Sequence, residues 1–111
     1  MLDKTIKIGL LFDFYGPLLT ERQQESIRLY YFKDLSLGEI AERLEISRQG
    51  VYDHLHRGEE LLRKYEDKLG LVFKEKAIID KLDQLQDYIV NKFELEQREK
   101  QNLQQKIENI K

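Results

Sequence analysis

The sequence predicts an all-α protein: a helix-turn-helix core with a further helical segment at its C-terminus. Three observations carry this. The chain has 6 Gly and 1 Pro in 111 residues, too few turn formers for a sandwich or barrel. Apolar residues recur at spacings of three and four along most of its length. Two Ser/Thr-x-x-Glu/Gln capping boxes stand where helices should begin, at Thr20–Gln23 and Ser36–Glu39.

Residues 3–15 are expected to form the first helix, with Ile6, Leu10 and Phe14 on its buried side beside Leu11 and Phe12. Gly16-Pro17 ends it, because proline lacks an N–H and disfavours a helical residue before it. Leu18 and Leu19 then form a short linker. The second helix runs from the Thr20 cap to about Tyr31 or Phe32, burying the aliphatic part of Gln24, Ile27 and one of Tyr30 and Tyr31. The third starts at Ser36 and carries a stripe of Leu37, Ile40, Ala41 and Leu44; the small Ala41 suits a close helix crossing.

Glu45 and Ile46 make the turn, and Ser47 caps a fourth helix. Val51, Leu55, Leu62 and Leu69, joined by Leu61 and Tyr65, define its apolar face. Gly70 ends it in a left-handed cap, and Gly58 marks a candidate bend. From residue 71 to 95, Phe73, Ala77, Ile78, Leu82, Leu85, Ile89 and Phe93 predict an amphipathic helix. A polar helical tail follows, with Leu103, Ile107 and Ile110 at its apolar positions. Alone in water such a helix is marginal, so docking back, pairing with a second copy and fraying all stay open. The expected division is 1–70 for the helix-turn-helix core and its N-terminal helices, and 71–111 for the amphipathic helix and tail.

In a helix-turn-helix the second helix presents its N-terminal residues to the major groove. Here Ser47, Arg48, Gln49, Tyr52, His56 and Arg57 are the candidate nucleic-acid contacts, with Val51 and Leu55 turned to the core. Arginine reads guanine or binds phosphate, glutamine reads adenine, and tyrosine stacks. Asp53 shares that outward face and opposes a phosphate backbone. The net charge is −2, and no segment is basic overall.

With no Cys, a disulfide framework and a Cys-based zinc site are excluded. His54 and His56, two apart, point to different faces of a helix and make a poor metal pair. No glycine-rich phosphate loop is present, and the Ser47 hydroxyl is best explained as a cap. The reading is a protein that is no enzyme, with no catalytic, cofactor or metal residues. The apolar stretch beginning at Met1 is short and broken by Asp3, Lys4 and Lys7, and no apolar run reaches the roughly 18 residues of a membrane span. No membrane insertion and a cytoplasmic location are the expectations.

The joint occurrence of FYGPLLT, LYY, SLGEIAE and SRQGVYDHLHR, followed by a leucine-rich helix, resembles the YlxM-like family of small helical proteins from Gram-positive bacteria. The likeness covers nearly the whole chain. The SLGEIAE…ISRQGVYD portion also resembles sigma region four, in which Ser47, Arg48, Gln49, Val51 and Tyr52 match the start of the reading helix. The family resemblance implies a regulatory or accessory role in the signal recognition particle pathway. The implied partners are the particle's GTPase, the receptor or the particle RNA. DNA follows from the sigma-like helix. A protein-interaction adaptor that forms a homodimer and binds no nucleic acid is the alternative.

Overall fold

The computed structural model describes residues 2–111; Met1, which opens the apolar stretch weighed above, lies outside them. All regular elements among the described residues are helical: α1 (Leu2–Tyr15), α2 (Glu21–Ile27), α3 (Leu37–Leu44), α4 (Arg48–Leu69), α5 (Leu71–Lys92) and α6 (Gln97–Ile110). A 3-10 turn over Gly16–Leu18 links α1 towards α2, and a π-helical stretch over Arg28–Phe32 continues α2. Contacts group into two compact units, one ending at Val72 and the other spanning Phe73–Lys111.

Both capping boxes form. The Thr20 hydroxyl accepts from the Gln23 N–H while Gln23 Oε1 accepts from the Thr20 N–H, and Ser36 and Glu39 do the same for α3. Each box satisfies N–H groups that have no partner inside the helix. The Ser36 N–H, followed by its hydroxyl, holds the Glu39 carboxyl below its ordinary range.

The core of the first unit joins Ile8, Leu11 and Tyr15 of α1 with Leu19, Ile27, Tyr31, Ile40, Ala41, Leu44, Val51, Leu55 and Leu62. On α1 the buried side is therefore 8, 11 and 15. Ile6 and Leu10, expected inside, are 55% and 48% exposed. The 8/11/15 register wins because it brings Tyr15 to a hydrogen-bonded site; the 6/10/14 set lies on a neighbouring stripe. Leu69 is likewise exposed, about two turns past Leu62, the last core residue of α4.

Two local features depart from the periodicity. α2 does not stay α-helical to its end. At Arg28–Phe32 the turn widens, with Lys33 N–H donating to Arg28 O, and it carries Tyr31 into the core. Gly58 marks no break in α4, which is continuous, but a point of contact with α2: a Cβ there would lie 2.9 Å from Ile27 Cδ1.

In the second unit α5 buries no residue fully, and α6 buries Ile107. Lys111 Nζ donates to Asp83 Oδ1 at 2.7 Å, so the end of α6 returns to the middle of α5. Of the face expected for α5, Ala77, Leu82 and Ile89 are half-buried, whereas Phe73, Ile78, Leu85 and Phe93 are exposed.

Candidate nucleic-acid interface

The turn between α3 and α4 is three residues long, Glu45–Ser47. Glu45 adopts the left-handed conformation (φ 57°), which ends α3 and reverses the chain. Ser47 then caps α4, its hydroxyl accepting from the Gly50 N–H at 2.9 Å. The hydroxyl is thus occupied by the backbone, in line with a capping role.

Val51 and Leu55 are buried, and this fixes the rotation of α4. Ser47, Arg48, Gln49, Tyr52, Asp53, His56 and Arg57 are consequently all exposed. The structure brings the six candidate residues to the first half of one helix, on the side away from the core.

They are not idle on that face. Gln49 Nε2 donates to Asp53 Oδ1 at 2.9 Å. His56 Nε2 lies 3.4 Å from Glu60 Oε1 and Arg57 lies 3.7 Å from Glu60 Oε2. The Tyr52 and His56 rings stack, 4° from parallel with centroids 5.8 Å apart. The Arg48 guanidinium folds over α3: a Cβ on Gly38 would meet its terminal nitrogen at 3.0 Å. Each base-reading or phosphate-binding group therefore has an intramolecular partner one turn away or on the bracing helix. Such exposed pairs are worth little in isolation, about 0.2–1 kcal/mol, so an incoming ligand can displace them.

Beneath this face sits a buried acid that the sequence reading passed over. Glu59 is 8% exposed, and its Oε1 accepts from the Tyr31 hydroxyl at 2.5 Å and forms ion pairs with Lys4 Nζ at 3.2 Å and Arg63 at 4.0 Å. Burial, and then the bond to Glu59, push the Tyr31 hydroxyl well above its ordinary pKa. The signal in the sequence was the stripe itself: Val51, Leu55, Gly58 and Leu62 recur at four, three and four, and Glu59 flanks it.

Among the described residues no group of three or more His, Asp or Glu is placed to hold a metal ion. No helix among them is long and apolar enough to cross a membrane.

Residues 2–110 match the UPF0122 family, described as "Putative helix-turn-helix protein, YlxM / p13 like". That description names a fold and no reaction. The chain is 46% identical over 110 residues to the UPF0122 protein lin1916 of Listeria innocua, covering 99% of both. It is 47% identical over 93 residues to the UPF0122 protein GK1195 of Geobacillus kaustophilus, covering 84% of each chain. It is 51% identical over 89 residues to the UPF0122 protein TTE1463 of Caldanaerobacter subterraneus, covering 80% of this chain and 76% of that one. With a Ser47-capped helix braced on α3 and a match along almost its full length, the chain belongs to the UPF0122 family of YlxM-like helix-turn-helix proteins.

Proposed function

We propose that the protein is a non-catalytic accessory factor of the signal recognition particle pathway that contacts nucleic acid, DNA or the particle RNA, through the first half of α4. One observation carries this reading. A single rotation of α4 buries Val51 and Leu55 while it exposes Arg48, Gln49, Tyr52, His56 and Arg57 together beside the Ser47 cap. Arg48 and Arg57 supply phosphate contacts, Gln49 a base edge, and Tyr52 a stacking face. The acids on the same helix keep affinity moderate and favour a selective contact over a general polyanion surface. The test is binding of duplex DNA and of the particle RNA across a salt series. A linear fall of log affinity with log salt for either supports the reading. No binding to both at low salt overturns it.

A second reading rests on α5. Leu71, Ile78 and Leu85 stand seven apart and are exposed, as is Tyr88. A heptad seam of this kind suits a second copy of the chain, and hence an adaptor that works by protein contact with the particle GTPase or its receptor. Sizing of the full chain beside Ile78→Lys and Leu85→Lys tests it: loss of a dimer in both variants supports the seam, and a monomeric native chain removes it.

A further inference from the structure

A cavity of about 250 Å3 opens beside the reading face, lined by groups from α1, the π turn, α3 and α4. Its aromatic walls are Tyr30 and Tyr31 from the π turn and Tyr52 and His56 from α4, and its charged groups are Glu59 and Lys4. The π turn, a form that concentrates at functional sites, is what delivers the two consecutive tyrosines. They pack edge to face with centroids 5.0 Å apart.

The chemistry of the cavity narrows the ligand. Glu59 is more than nine-tenths buried, yet Tyr31, Lys4 and Arg63 all reach the same oxygen, Oε1. Oε2 takes none of these contacts, and the Glu59 side chain keeps about a tenth of its surface open, so this oxygen is left to accept from a ligand in the cavity. A cation gains little there, because two basic side chains already offset the charge. A phosphate would have to lie against the carboxylate. A neutral planar ring with an N–H edge meets neither objection: its face extends the stack that Tyr52 and His56 already form with each other, and its edge donates to Oε2. The volume lies just below the roughly 300–1,000 Å3 of drug-sized ligand sites, which suits one ring system.

We propose that this cavity is a pocket for a single unpaired nucleobase bearing an amino group, with guanine preferred because its N1–H and 2-amino donors lie side by side. The proposal rests on α4 being the nucleic-acid face and assigns that face a further residue, Glu59, together with a substrate class: RNA or DNA with an unstacked base rather than uniform duplex. In such a complex Arg48 and Arg57 hold the backbone while Glu59 selects the base.

The test is a titration of the full chain with guanosine, inosine and uridine monophosphates, read by NMR at the Tyr31, Tyr52 and His56 ring signals. Guanosine monophosphate is expected to bind at least about fivefold more tightly than inosine monophosphate, which lacks the 2-amino group. Tyr52→Ala, at an exposed position, is expected to abolish the response. Glu59→Gln is expected to erase the preference between the two purines. Equal responses to all three nucleotides, or shifts confined to other residues, overturn the pocket. The salt series on DNA and RNA separates the two ideas. Nucleic-acid binding without guanine preference sinks the pocket and leaves the α4 surface standing, whereas absence of polymer binding removes the α4 surface and the pocket's substrate class with it.

Discussion

The Tyr15 hydroxyl donates to Glu66 Oε1 at 2.6 Å and in turn accepts from the Leu71 N–H at 3.0 Å. Glu66 Oε1 also accepts from the Val72 N–H. Two residues 51 apart in the chain thus supply the cap that α5 lacks in its own sequence, just after the left-handed Gly70. Burial, and then the bond to Glu66, raise the Tyr15 pKa.

Tyr15→Phe is therefore expected to release the Leu71 amide and to loosen the Glu66 carboxylate that holds the Val72 amide. Hydrogen exchange at those two amides should speed up, and Tm should fall by several degrees, while Ser36 and Ser47 stay in place as caps. Unchanged exchange at both amides would show that the helix start is held by something else.

Gly58 lets α2 and α4 touch. Because Ile27 is fully buried and has no room to retreat, Gly58→Val is expected to cost about 2 kcal/mol or more of unfolding free energy, read from the denaturant midpoint. A cost near zero would mean that Ile27 repacks freely.

Ser26 behaves in the opposite sense. Its hydroxyl is fully buried with no hydrogen-bond partner. Ser26→Ala removes that uncompensated group and raises helix propensity, so a gain of about 1 kcal/mol is expected in the same assay. A loss would reveal a bond that the hydroxyl makes in solution.

Gly38 separates stability from recognition. Its neighbour is the mobile end of Arg48, so Gly38→Ala is expected to keep stability within about 1 kcal/mol of the native chain. It should nonetheless lift the Arg48 guanidinium off α3. A changed affinity for nucleic acid at unchanged Tm is the expected signature; a drop in Tm would place Arg48 in the fold rather than at the surface.

Alkaline pH provides a readout of the Tyr31–Glu59 pair. The folded pKa of Tyr31 is raised above 10.0, so its contribution is complete below that value. It is lost as pH rises from there through the folded value, because the unfolded chain ionises first. The unfolding midpoint should fall above pH 10.0, and Tyr31→Phe should flatten that fall. An identical slope in the variant would point to the other tyrosines.

What could be read in the sequence was whatever depends on neighbours along the chain. Thr20–Gln23, Ser36–Glu39, the Ser47 cap and the Gly70 stop are all local chemistry, and each stands where its residues place it. The stripe of α3 and the rotation of α4 follow from periodicity alone, and with them the exposure of the six candidate contacts. The register of α1 was not legible, because it is richly apolar on two adjacent stripes and a distant partner, Glu66, selects one. The π turn was hidden for the same reason: its benefit is the bond from Tyr31 to a residue 28 positions on. Gly58 looked like a flaw in a helix because its use appears only when α2 lies against it.

The acid on the rim of α4 has a consequence for ionic strength. Glu60 already holds both His56 and Arg57, so a docking polyanion competes with a tethered counterion as well as with dissolved ones. Added electrolyte weakens both rivals together. The loss of binding per decade of salt should then be shallower than a tally of the positive side chains foretells, as though part of the ion atmosphere were built into the helix.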